Sequence, residues 1–198
     1  MDKRVRRTQK LLRDTLVELM LEKQLQQITV TDIVRRADIS RGTFYLHYRD
    51  VYDLLAKIED DTLRGVAELA EKYFVSRAAG RESLIGFGNQ LFDHIIANQR
   101  LCRALFLSDY STRFIVRFQG VLVESILAAG LADSDFRLPQ GLEPEDRIEL
   151  CRYLALFIAG GISSILIKWL QSGDGYSQEK MQRITNDIIS ETLSGRLP

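Results

Sequence analysis

Nine consecutive residues, Arg41-Gly42-Thr43-Phe44-Tyr45-Leu46-His47-Tyr48-Arg49, gather two guanidinium groups, three hydroxyls and an imidazole. These groups suit hydrogen bonding to nucleic acid better than bond making. Arg41 has the fork to give a guanine edge two parallel bonds, Thr43 the reach for a phosphate or a thymine methyl, and Gly42 lets backbone come close. Covalent or acid–base catalysis is not suggested. His47 and His94 stand far apart without an acidic or cysteine partner at ligand spacing, Cys102 and Cys151 form no Cys-x-x-Cys, and no glycine-rich phosphate loop follows a strand. The expectation is a non-enzyme with no catalytic residue, no cofactor and no metal site.

Those groups need a rigid mount, and the preceding residues supply one. Thr29 is suited to cap a short helix whose apolar positions Val30, Ile33, Val34 and Ala37 recur at helical spacing. Asp38 interrupts it, Ile39 points inward, and Ser40 is a second N-cap, so another short helix begins at Arg41 and closes at Tyr48-Arg49. Helix, three-residue turn and helix make a helix-turn-helix, whose second helix enters the major groove by its N-terminal end. Phe44 and Tyr48 read as core, which leaves Tyr45 and His47 on the DNA side. The net charge of the 198 residues is zero, but residues 1–50 hold 11 Lys and Arg against 7 Asp and Glu, and the remainder 16 against 20. Lys3 and Arg4 open a basic arm of the sort that follows phosphates or a minor groove.

The rest of the chain predicts helices throughout. Only three prolines occur, hydrophobic residues make up 45%, and no repeat is present. A first helix spans Lys3 to Lys23, with a polar break at Gln24 to Gln27. Beyond the helix-turn-helix come a fourth helix from the Asp50 cap to about Ser76, a fifth from about Glu82 to Asn98 after Gly80, and a sixth from about Arg100 to Leu107. The seventh runs from the Ser111 cap to Leu131, the eighth from Pro144 to about Gln171, and the ninth from Ser177 to about Leu193. Ala132 to Glu143 reads as loop, and Ser172 to Gly175 as a breaker. The result is an all-α, nine-helix, two-domain architecture: a three-helix DNA-binding domain over 1–49 and a helical body over 50–198. The longest uncharged run, Tyr153 to Ile167, is 15 residues, short of the roughly 20 of a membrane span, so a buried helix and no membrane partner are expected.

The Arg41 to Tyr48 segment, preceded by Thr29-Val30-Thr31-Asp32-Ile33 and Ala37, resembles the signature of the TetR (TetR/AcrR) family of bacterial transcription regulators. The resemblance is specific at the amino terminus, and the nine-helix order matches along the chain. It implies that Arg41, Gly42 and Tyr45 lie near bases, Thr43 and His47 on phosphates, and Thr31 near the backbone. Two residues depart from the family pattern. Asp38 stands where a turn glycine is usual, and Asp adopts left-handed geometry more readily than most residues. Val51 stands where a lysine usually opens helix four, so Arg49 is expected to make that phosphate contact.

The eighth helix is apolar on nearly every side, so burying it calls for a second subunit. The paired glycines Gly160-Gly161 would let two helices approach closely, at roughly 1 kcal/mol each in helix propensity. Leu156, Gly160, Gly161, Ser164, Ile184 and Ile188 are the expected homodimer interface, as the resemblance also implies. Glycines that admit a neighbouring helix of the same subunit are the alternative. Phe87, Leu91, His94, Phe106, Tyr110, Phe114 and Phe118 are candidates to line a pocket for a small-molecule effector, although aromatics at helical spacing equally fill a core. The reading is a cytoplasmic dimer that binds a pseudo-palindromic operator in double-stranded DNA, an effector-responsive repressor. An activator or DNA-organising protein of the same fold, or a helical interaction module with vestigial DNA binding, are the alternatives.

Overall fold

The computed structural model of the protein describes residues 3–75, 81–128, 143–172 and 177–194. Among the described residues are nine α-helices: α1 (Lys3–Glu22), α2 (Val30–Arg36), α3 (Arg41–Tyr45), α4 (Val51–Val75), α5 (Arg81–Ala97), α6 (Gln99–Leu107), α7 (Ser111–Ala128), α8 (Pro144–Ser172) and α9 (Gln178–Ser194). The all-α, nine-helix expectation holds. Most boundaries move by a residue or two, the usual scatter of helix ends. The expected end of helix seven at Leu131, the loop from Ala132 onward, and Gly80, Gly173 and Gly175 lie outside the described residues.

Two local expectations are corrected. The polar break contains a 3-10 turn, Leu25–Gln27, because Leu25 is buried and draws the chain in behind it. Helix α3 ends at Tyr45 rather than at Tyr48-Arg49. Its last amides tighten onto nearer carbonyls, with His47 N donating to Phe44 O at 2.9 Å in an i to i−3 bond.

The chain divides into two compact units, and the line falls elsewhere than at residue 49. Met1–Thr62 joins with Gln99–Phe114, and Leu63–Asn98 with Ile115–Pro198. Helix α4 thus contributes to both, and α6 belongs with the helix-turn-helix. In the first unit Leu12, Leu16, Leu25, Ile33, Phe44, Leu54 and Leu105 are almost wholly buried. Asp109 of the α6–α7 turn accepts from the Leu25 amide at 3.3 Å, and Arg100 lies 3.7 Å from Glu18 of α1. Periodicity marks which face of α6 is apolar, but not which partner covers it.

In the second unit α5 and α7 bury Phe87, Leu91, Phe92, Phe118 and Leu122, and Phe92 meets Trp169 of α8 edge-on at 6.3 Å. Helix α9 is fastened to α5 by a polar seam. Asp93 accepts from Gln178 at 2.7 Å and Gln182 at 2.9 Å, and Asn186 donates to Asn89 at 3.0 Å. One glycine here makes room for a ring: a Cβ on Gly86 would stand 1.7 Å from the Tyr73 hydroxyl, so that side chain would have to shift. Helix α8 is buried on one face only, through residues such as Cys151, Ala155, Ile158, Ile162, Leu166 and Trp169. Tyr153, Leu156 and Phe157 are more than half exposed. Its length and composition would allow a membrane crossing, although its uncharged run in the sequence reads as too short for one.

Candidate nucleic-acid interface

The mount of the recognition segment is built from caps. Thr29 and Asp32 form a reciprocal capping box at the start of α2: the Asp32 amide donates to Thr29 Oγ1 at 3.2 Å, and the Thr29 amide to Asp32 Oδ2 at 2.9 Å. Lys23 Nζ adds a bond to the same carboxylate at 3.0 Å. The Thr29 amide first, then Lys23 and the Thr29 hydroxyl, hold the Asp32 carboxyl down at about 2. At the other end of α2, Arg36 grips Glu22 of α1 through two parallel bonds of 2.6 and 2.8 Å.

The turn is a Schellman motif. Asp38 sits at φ 51°, the sole non-glycine residue with positive φ among those described. Ile39 N bonds to Val34 O at 3.1 Å and Asp38 N to Arg35 O at 3.4 Å. Ser40 then caps α3, its Oγ accepting from Thr43 N at 3.0 Å and contacting Thr43 Oγ1 at 2.9 Å. Phe44 is fully buried and meets Tyr45 edge-on at 5.6 Å and Tyr48 at 5.9 Å. Tyr48 is buried, as its core reading requires, and burial first of all raises its phenol pKa.

With Phe44 turned inward, the opposite face of α3 is open. Arg41 and Gly42 are exposed, Tyr45 is 55% exposed, and Thr43 and His47 are half-buried. The Arg41 guanidinium donates to the Thr31 hydroxyl, so these two expected DNA contacts touch one another across the turn. Leu46 was not singled out from sequence, yet it is 81% exposed beside Tyr45. Its position four residues after Gly42, one helical turn further along the open face, was the available signal, and an apolar side chain there suits a thymine methyl. A Cβ on Gly42 would meet only Ser40 Oγ at 3.7 Å, an ordinary contact. The fold itself does not demand a glycine there.

Arg49 is largely exposed but not free. Its amide donates to Asp53 at 2.9 Å and its guanidinium lies 3.3 Å from the same carboxylate, which these bonds hold below its ordinary pKa, the amide foremost. Asp50 caps α4 by accepting from the Asp53 amide at 2.8 Å. Lys3 and Arg4 lie exposed in the first turn of α1.

Comparison with known proteins bears on this geometry. The family model described as "Transcriptional regulator C-terminal region" matches residues 82–191, and the one described as "Bacterial regulatory proteins, tetR family" matches residues 12–58. The chain belongs to the TetR family. It is a DNA-binding transcriptional regulator. The HTH-type transcriptional regulator YxbF of Bacillus subtilis (strain 168) is 33% identical over 57 residues, 29% of this chain, and the match spans 15% of that protein's length. The HTH-type transcriptional repressor KstR2 of Rhodococcus jostii (strain RHA1) is 25% identical, covering 96% of this chain and 91% of that one. The crystal structure of FadR from Bacillus subtilis, in complex with stearoyl-CoA, aligns over 94% of this chain and 98% of its own with a TM-score of 0.71 at 19% identity, a likeness of fold.

The TetR-family body places the remaining expected residues in different surroundings. Phe87, Leu91 and Phe118 are buried in the second unit and His94 is half-buried there, its ring 3.9 Å from where a Cβ of Gly65 would stand. Phe106 and Phe114 belong to the first unit, meeting edge to face at 5.0 Å, and Tyr110 is exposed against Tyr52 at 5.9 Å. The seven are thus divided between the two units, four in the second and three in the first. The second unit instead has a groove of about 380 Å³ between α4 and α7, walled by Ala67, Ala70, Phe74, Ser125 and Ala128, with Glu71 and Glu124 exposed at its edge. Phe74 stacks on Phe87 at 5.2 Å, so one expected residue backs this groove without lining it.

On α8, Leu156, Gly161 and Ser164 are exposed and Gly160 is half-buried; on α9, Ile188 is exposed and Ile184 half-buried. A Cβ on either Gly160 or Gly161 would meet nothing within 4 Å among the described residues. The alternative that these glycines admit a helix of the same subunit therefore gains no support.

Proposed function

We propose that this TetR-family regulator is a cytoplasmic homodimer that represses transcription from a pseudo-palindromic operator and is released by a small-molecule effector. One observation carries the operator reading: a short helix capped by Ser40 and pinned by buried Phe44 offers Arg41, Gly42 and Tyr45 on a single open face. Arg41 reads a guanine edge once it exchanges Thr31 for the base, and Gly42 and Tyr45 pack against the neighbouring base pairs. Thr31, Thr43, His47 and Arg49, with Lys3 and Arg4, hold the phosphates that fix orientation.

The homodimer reading is supported by the open apolar face of α8 with Leu156 and Phe157, extended by Ile188 of α9. A two-fold pair can present both recognition helices one turn of DNA apart, roughly 34–36 Å. Repression is supported by the name of the relative KstR2. The effector is assigned to the α4–α7 groove, whose apolar wall and edge carboxylates Glu71 and Glu124 favour a neutral or cationic molecule over an acyl-CoA of the kind that FadR holds.

Fluorescence anisotropy on a duplex from the promoter beside the protein's own gene, at physiological salt, tests the reading. Preference for that duplex over scrambled DNA by roughly a thousandfold or more is the expected result. Equal affinity for both would overturn it.

A further inference from the structure

The first unit holds a second concave surface that the recognition helix does not use. Arg6, Lys10 and Arg13 recur on one stripe of α1 at helical spacing and face Lys57 and Asp61 of α4 across a groove of about 270 Å³. Lys57 and Asp61 are an ion pair of one helix at 3.7 Å and largely balance each other. Arg6, Lys10 and Arg13 have no carboxylate within ion-pair distance among the described residues. Three uncompensated cations therefore surround one small space. The helices that carry them are fixed by residues on their buried faces, Leu12 and Leu16 on α1 and Leu54 and Ile58 on α4, so the charges cannot disperse by moving the backbone. Between them lies the phenol of Tyr48, which burial keeps protonated and able to donate.

We propose that this α1–α4 groove binds a phosphate group, carried either by a free phosphorylated molecule or by the backbone of duplex DNA. Arg6 and Arg13 supply planar forks suited to phosphate oxygens, Lys10 a mobile third charge, and Tyr48 a neutral donor. Asp61 is the one opposing charge on the lining and limits affinity for any anion. The free-phosphate source stands independently of operator recognition; the backbone source rests on that reading.

The experiment uses the full chain, the doubly neutralised variant R6Q/K10Q and the variant D61N, with helicity checked by circular dichroism. Arg6 and Lys10 are both exposed, so their replacement leaves the core intact. Melting temperature is followed with sodium phosphate against sodium chloride and sodium sulfate at matched ionic strength, without DNA. Operator and scrambled duplex affinities are followed against KCl concentration. For the free source, phosphate raises the wild-type melting temperature by a few degrees beyond sulfate, R6Q/K10Q loses that increment, and D61N enlarges it. For the backbone source, the slope of log K against log salt falls by about 1–2 in R6Q/K10Q, equally on both duplexes, because about 0.9 is lost per phosphate contact.

Identical phosphate increments in all three proteins, with coincident salt slopes, would overturn the proposal. Should the wild-type protein not distinguish operator from scrambled DNA, the operator reading fails while the phosphate measurement still decides the groove.

Discussion

Gly42 separates what the fold needs from what the ligand needs. A methyl at that position finds Ser40 Oγ at 3.7 Å and no clash, and glycine in a helix costs roughly 1 kcal/mol relative to alanine. Gly42→Ala should therefore leave the melting temperature unchanged or slightly raised in a thermal denaturation. The same substitution should weaken operator affinity at least tenfold in an anisotropy titration, because in the proposed complex the added Cβ stands where backbone meets DNA. Arg41 behaves differently: its bond to Thr31 must be exchanged for one to a base, so only part of the roughly 1–3 kcal/mol of a good guanine contact appears as net affinity. Truncation at Arg41 should relax discrimination at one base pair, with little change in overall stability.

At the scale of elements, caps decide where the short helices begin and end. Asp32 serves the α2 cap as a carboxylate, and its folded pKa of about 2 lies below the ordinary 3.8. A depressed carboxylate pKa adds stability above the unfolded value and forfeits it as pH falls toward the folded one. Asp32→Asn should cost about 1 kcal/mol at neutral pH, the modest worth of a solvent-exposed cap. In denaturant titrations the gap between the two proteins should narrow below pH 4 and close only below about pH 2.

Such caps are local, which is why they were legible in the sequence. Thr29, Ser40 and Asp50 occupy the positions assigned to them, Asp38 takes the left-handed geometry, and Phe44 and Tyr48 are core. What sequence could not reveal was partnership at a distance. The apolar stripe of α6 gave no sign that it would join the first unit, and Phe87 or Phe114 looks the same in a filled core as in a cavity wall. Leu46 was passed over because apolar residues are presumed inward, whereas a five-residue helix has too few turns to hide both sides.

For the whole molecule the open face of α8 is decisive. Gly161 is exposed and a Cβ there meets nothing within 4 Å, so Gly161→Leu adds bulk without disturbing the subunit's own packing. If the proposed dimer forms through this face, sedimentation should show that variant as a monomer that keeps its helicity, with operator binding lost because two half-sites are no longer read together. A dimer unaffected by Gly161→Leu would move the interface elsewhere.

Gly86 exerts a different kind of control. The phenol of Tyr73 occupies the space that its missing methyl leaves, and Tyr73 meets Phe74 edge-on at 5.5 Å. Phe74 in turn forms part of the α4–α7 wall. Gly86→Ala should thus dislodge one ring, tilt the next, and deform a recess that residue 86 never touches. Under the proposed repression with an effector in this recess, a genetic selection for regulators deaf to their inducer yet still able to silence a promoter should return changes at this position, on a helix that a map of the recess alone would omit.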